Sequence, residues 1–559
     1  MRKASFLLCL ILPGFALTAT ASAAPLTYTQ KCLHLLNRLT FGPKPGDLEK
    51  VKKMGLKAFI EQQLNPDAID DSQCEKDLAA YPDLQLSSYE LFKAYPPAQF
   101  ALKKAKLDGE DPDKIKAINE KPRKILEELS AAKLTRIVES NRQLEEVLDD
   151  FWFNHFNVSF QKNQVKWTLP SYEREVIRPH VLGKFRDLVG AVAHSPAMLE
   201  YLDNATSTVD PRYVPEDEMS AYPQMMAMME NRAGKPKQSA GLNENYAREL
   251  MELHTLGVDG GYTQQDVIQV ARALTGWSFQ GPYFLLNPSH KYVDPETIFQ
   301  FQFHPKMHDR GEVVVLGQKF GPELGDKSAE QEGEQVLDLL CRQPATAHFI
   351  AFKLCRRFVS DNPPESLVKK VADTYLKTGG DLKEMLRTLF KAPEFYSPKV
   401  YRAKVKTPLE FLASALRATN AKLDDPVKLS RVLANMGEPL YQCEPPTGYP
   451  DDARSWISSS ELLDRMNYGL GLLGNNHSQA SVDLPRVVPA VESSDEKKIL
   501  GGFFKAFLQN QVSPSTRRVL LKRLNDPEIT HAALDDRNKE IQVAKLGALV
   551  LGSPDFQKR

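Results

Sequence analysis

The sequence predicts an all-α protein: an irregular multi-helix array with one small embedded β-hairpin. Three observations carry that expectation. Apolar residues recur at helical spacing along most of the chain, as in Leu144, Val147, Leu148, Phe151 and Trp152. Helix-start signals precede many of these runs. Ser195-Pro196 reads as an N-cap with proline at the first helical position, and Thr263 with Asp266 gives a capping-box pattern with Asp in place of the usual Glu. Only one stretch alternates with a period of two: Phe299, Phe301 and Phe303, followed by Val313 to Leu316 after a nine-residue loop, which predicts the hairpin.

From the N-terminus, Arg2 and Lys3, the apolar run Phe6 to Leu17 and the small residues Ala21-Ser22-Ala23 have the order of a cleaved secretory signal peptide. No later stretch approaches the roughly 18 apolar residues of a membrane-spanning helix. The expectation is a signal peptide over 1–23 and an exported chain, periplasmic or secreted. Residues 24–475 are expected as the main helical domain, with insertions at about 96–123 and 209–240. A charged helical region follows over 476–559.

Within the main domain, helices are expected over 30–40, from Pro45, and up to Leu64 before Pro66. Others follow over 144–155, 244–256 behind Asn243, and 264–275 before Gly276. More are expected over 328–342, 345–359, 364–378, 381–391, 404–418 and 458–472. Pro439, Pro445, Pro446 and Pro450 mark a long loop before Trp456.

Positive and negative side chains balance at 72 each, which argues against a general nucleic-acid binder with its net basic surface. Five cysteines follow the signal: Cys32, Cys74, Cys341, Cys355 and Cys443. An odd number at wide spacing excludes a disulfide scaffold and leaves room for one bridge, Cys32 to Cys74. No CxxC pair, Gly-x-Ser-x-Gly elbow or phosphate-binding glycine loop is present.

Several segments carry a resemblance. They include His34-Leu35-Leu36-Asn37-Arg38-Leu39-Thr40-Phe41-Gly42, Phe151-Trp152-Phe153-Asn154-His155-Phe156-Asn157-Val158 and Tyr201-Leu202-Asp203-Asn204. The longest runs from Gly241 through Glu249-Leu250-Met251-Glu252-Leu253-His254 to Gly257, and on to Ala273-Leu274-Thr275-Gly276-Trp277. Phe303-His304-Pro305-Lys306-Met307-His308-Asp309-Arg310-Gly311 and Pro344-Ala345-Thr346-Ala347 complete the set. Together they resemble the bacterial "domain of unknown function 1800" family. The resemblance implies an exported helical protein and no particular activity. It also implies a partner, since members are often encoded beside an exported alkaline-phosphatase-like protein. Two positions depart from the family pattern: Val313 stands where a Lys is usual, and Gln343 where a His is usual.

Candidate chemistry rests on few residues. His254 and Glu249 fall on opposite shoulders of the apolar face of helix 244–256, about 140° apart, so that helix alone does not offer both to one metal. Glu244, Arg248 and Glu252 form a surface ion-pair strip. His155 lies on the apolar stripe of its helix, where a hydrogen-bonded core histidine is the alternative to a ligand. His308-Asp309 lies in the loop of the expected hairpin, suited to a site or to a turn closed by Gly311. If His155, His254 and His308 converged, with Asp309, Glu249 or Asp203, they could hold zinc or iron and activate water, with Glu249, His308 and Asp309 as catalytic candidates. His348, Phe352, Cys355 and Val359 read as a packing stripe. The Met219 to Met229 cluster offers either soft ligands for Cu(I) or an adaptable apolar surface. Two functions follow: a binding or assembly protein of the envelope or secretome, or a metal-dependent hydrolase with a His/carboxylate site.

Overall fold

The computed structural model describes residues 24–108, 122–209, 241–286, 294–321, 329–475, 479–524 and 536–559. Residues 1–23, where a signal peptide is expected, nearly all of the 209–240 insertion with its methionines, and part of the 96–123 insertion lie outside the described residues.

Most described residues are helical, and the local rules explain where the helices start. Thr27 and Gln30 form a reciprocal capping box at Tyr28–Leu39. Thr263 and Asp266 do the same at Gln264–Ala273, and Ser195 caps Pro196–Tyr201. Each box satisfies backbone N–H groups that a helix start leaves without an internal partner. The helices Ala329–Arg342, Pro344–Phe358, Glu365–Thr378 and Leu382–Lys391 follow in succession. Their apolar residues join one hydrophobic cluster that runs from Cys32 to Phe556, so the C-terminal helices share the core of the rest. None of the described helices is long and apolar enough to cross a membrane.

Several expectations need correction. The strand Phe301–Phe303 pairs antiparallel with Trp277–Phe279, not with Val313–Val315. The latter pairs with Gln318–Phe320 across Leu316-Gly317, both at positive φ (48° and 78°). Two consecutive positive-φ residues make the tight turn that matches strand twist, so the hairpin closes locally. A third two-stranded pair joins Lys422–Leu423 to Ala480–Ser481. The second helix begins at Asp47, not Pro45, because Gly46 adopts a left-handed conformation before it. Ala98–Asp108, inside the expected 96–123 insertion, is helical. The helix expected from 404 starts at Pro408 behind the Thr407 capping box. Residues 404–406 run extended instead and exchange backbone hydrogen bonds with 557–559. Cys32 and Cys74 are both free and buried, so no bridge joins them.

The helix carrying His254 is α-helical over Asn245–Glu249 and widens into a π-helix over Leu250–Thr255. The hydroxyl of Thr255 donates to the Leu250 carbonyl at 2.6 Å, five residues back. An i→i+5 turn rotates the following side chains away from their α-helical directions. The 100° arithmetic therefore fails after Glu249, and His254 is buried.

Packing is close where Ala329–Arg342 crosses Trp277, which is fully buried. A Cβ added at Gly333 would stand 2.4 Å from Trp277 Cζ2. Gly333→Ala is expected to cost about 1–3 kcal/mol through overpacking. Denaturant unfolding checks this; an unchanged midpoint would mean that the helix and the indole do not approach so closely.

Candidate functional site

A pocket of about 380 Å³ opens where five separated segments meet. Helix Gln143–His155 and the residues after it supply Asp150, Phe151, Phe153, Asn154, His155 and Asn157. Helix Pro344–Phe358 supplies Phe349, Phe352, Lys353, Arg356 and Arg357. The start of helix Pro408–Ala418 adds Leu409 and Glu410, and the proline-rich loop contributes Glu438 through Asp452. Lys133, from helix Arg123–Glu139, reaches in from one side.

Two asparagines hold the loop in place. Asn154 pairs with Tyr449 as a strand residue would: its Nδ2 donates to the Tyr449 carbonyl at 2.9 Å, and its Oδ1 accepts from the Tyr449 N–H at 2.7 Å. Asn157 Nδ2 donates to the carbonyls of Cys443 and Pro445, at 3.0 and 2.8 Å. Prolines donate no N–H of their own, so the loop cannot pair as a ladder; the amides bond its carbonyls instead, and Pro445 also accepts from the Gly448 N–H at 3.1 Å. Gly448 is required between them. It has φ +70°, and a Cβ there would stand 2.3 Å from the Asn154 carbonyl oxygen.

The pocket walls are rich in charge, and nearly all of it is paired. Lys133 lies 3.3 Å from Asp150 and 3.8 Å from Asp149, above the rings of Phe153 and Tyr441. Behind the wall, Arg178 forks onto Glu146 with two bonds of 2.9 Å, and the hydroxyl of the lining residue Tyr441 donates to Glu173. Arg357 and Arg559 both reach Glu410, at 2.5 and 2.7 Å. Lys404 lies 2.9 Å from Asp451, and Arg356 reaches the Asp451 carbonyl at 3.3 Å and Asp452 at 3.8 Å. Paired charges of this kind satisfy one another where water is scarce.

Lys353 differs. Its Nζ stands 5.7 Å from the centre of the Phe349 ring, and among the described residues no carboxylate lies within 4.0 Å of it. Burial pushes this ammonium down to about 8, although Asp451 at longer range opposes the shift. Burial pushes the Glu438 carboxyl up to about 8, even though its Oε2 accepts from the Leu409 N–H at 2.7 Å. The pocket therefore carries a neutral acid and an unpaired cation near neutral pH.

The structure brings together two of the three expected histidines. The rings of His155 and His254 lie 6.1 Å apart, and His155 Nε2 is 3.1 Å from the His254 carbonyl oxygen. A carbonyl only accepts, so Nε2 carries the proton and Nδ1 keeps a lone pair. No group among the described residues bonds that Nδ1 or either ring nitrogen of His254. Burial holds His155 well below its ordinary value and takes His254 down to about 3, with Lys353 adding to both shifts.

His308 and Asp309 belong elsewhere. His308 Nδ1 donates to the Thr275 carbonyl at 2.9 Å, and the ring packs on Phe303. Asp309 is fully buried and takes both bonds of the Arg272 fork, at 2.8 and 3.0 Å, while its own N–H donates to Thr275 Oγ1. It also accepts from the Gly311 N–H, as the turn reading expects. Asp203 pairs with Lys162, and Glu249 is half-buried beside Glu252. Among the described residues no group of three or more His, Cys, Asp or Glu is arranged to hold a metal ion. The His348 stripe divides: His348 is exposed and bonds Glu365, whereas Phe352 faces the pocket.

Lys353, Glu438, Lys133 and Glu410 did not emerge from the sequence. The one available signal was Phe349, Phe352, Lys353 and Arg356, which share a helix face at spacings of three and four.

Two outcomes follow. Asp309→Ala takes the carboxylate away from a buried guanidinium, and is expected to lower stability by about 3–5 kcal/mol. Chemical denaturation measures this; a loss under about 1 kcal/mol would point to a role other than structure. Glu438 contributes stability that is fully present below its ordinary 4.5 and lost as pH rises through about 8. Glu438→Gln removes that dependence. Its stability relative to wild type should rise by about 1.4 kcal/mol per pH unit between pH 5 and 7.5. Parallel stability–pH profiles for the two proteins would contradict a buried, protonated Glu438.

The profile of one protein family, described as "Protein of unknown function (DUF1800)", matches residues 34–558. No curated protein and no solved structure matches the chain. The match spans the pocket, its loop and the His155–His254 pair, and on that evidence the chain belongs to the DUF1800 family.

Proposed function

We propose that this chain is a binding protein whose central pocket takes a small polar molecule. The observation that carries the reading is the pocket itself: about 380 Å³, within the usual range of ligand sites, with aromatic walls and a few fixed polar groups. Ion pairs and amide clamps around it hold side chains in place before any ligand arrives, which lowers the cost of binding. The signal-like N-terminal segment supports a place outside the cytoplasm, in the envelope or secretome. An exported alkaline-phosphatase-like protein is the partner that the family suggests.

One observation favours a second reading, hydrolysis. His155 is oriented by a backbone carbonyl with a free lone pair on Nδ1, and it shares the pocket with a Glu438 held in its acid form. A protonated carboxyl beside a neutral imidazole suits proton donation to a substrate, with the imidazole as a hydrogen-bond acceptor.

The test is mass spectrometry of small molecules released on denaturing protein purified from its natural producer. The binding reading expects one compound at close to one per chain, and a raised melting temperature when it is added back. No released compound, together with no melting shift from the producer's metabolite extract, would contradict it.

A further inference from the structure

Resting on the binding reading, we infer that the pocket takes an aromatic carboxylate whose anionic group sits on Lys353. Two independent features converge on this chemistry. The first is charge. Lys133, Arg357, Arg356 and Lys404 each lie against a carboxylate or a backbone carbonyl, whereas Lys353 reaches no carboxylate among the described residues. Asp451, whose charge opposes the effect of burial at longer range, is already engaged by Lys404 at 2.9 Å. An ammonium held at the edge of a pocket without a counter-ion favours an anionic ligand, because the ligand supplies the charge that the protein withholds.

The second feature is shape and surface. Phe151, Phe153, Phe349, Phe352, Tyr441 and Tyr449 line the cavity. Phe349 and Phe352, four and one positions from Lys353, are only half-buried and so leave ring surface to be covered. Flat π-systems pack against such rings edge-on or offset. A purely polar anion such as phosphate would leave them bare.

The same chemistry has two sources: a free aromatic acid, or the C-terminal residue of a peptide ending in Phe, Tyr or Trp. Calorimetric titration of the full chain with phenylacetate and with N-acetylphenylalanine separates them, and the tighter of the two identifies the source. Phenylacetamide serves as the neutral control. At least one acid is expected to bind with one site per chain, below about 1 mM. Lys353→Met should weaken it about tenfold or more, and Lys353→Arg should restore most of the affinity. Phenylacetamide binding as tightly as the acid, or Lys353→Met binding as tightly as wild type, would overturn the inference and leave the pocket reading standing. Neither acid binding wild type would overturn the inference as well. Only the absence of any released compound and any melting shift reaches the broader reading.

Discussion

Everything at the pocket depends on the pairing of two side-chain amides with a proline-rich loop. Asn154 and Asn157 stand at the end of helix Gln143–His155 and just beyond it, and bind the backbone at Cys443, Pro445 and Tyr449. Without them the loop has few ways to satisfy its carbonyls, since prolines cannot form a ladder. With them, the loop becomes the outer wall of a cavity whose inner wall is the helix itself. The Tyr201 hydroxyl adds a third anchor, at 2.6 Å from the Glu444 carbonyl. One short motif, Phe151 to Val158, thus supplies apolar core, pocket lining and loop clamp at once.

The electrostatics follow from that closure. Burying so many charges is tolerable only when each has a partner, and the helices around the pocket provide them in forks and shared pairs. Lys133 is the clearest case. Burial alone would lower it, yet Asp150, Glu173 and Asp149 together raise it to about 12. The same logic applied to Lys353 gives the opposite result, because among the described residues no carboxylate comes close enough to reverse the effect of burial. Glu438 mirrors it as an acid kept neutral. These two groups are where the pocket departs from charge balance, and such departures mark functional sites more often than core.

Much of the architecture was legible. The capping pairs Thr263–Asp266 and Ser195–Pro196 and the stripe through Leu144 and Trp152 read directly as helices, because they depend on neighbours three and four residues away. His155 also read correctly as lying on an apolar stripe. What was hidden depends on distant partners. The strand partner of Phe301 lies before a long connection, and the turn at Leu316-Gly317 uses a leucine where Asn or Asp is usual. The direction of His254 was hidden by the π-helical turn. The pocket charges were hidden because Lys133, Lys353, Glu410 and Glu438 come from separate segments, and within its own segment each reads as a solvated side chain. Asp309 looked like a site residue on its loop, and became structural only when Arg272, 37 residues away, met it.

The most direct test of this charge arrangement is the titration of the Lys353 ammonium by NMR, in full-length protein with methyl-labelled lysines and with Lys353→Arg assigning the signal. A midpoint near 8 that climbs when an aromatic acid is added is the predicted result. A midpoint near the ordinary lysine value of about 10.4, unmoved by the acid, would contradict a half-buried cation without a carboxylate partner.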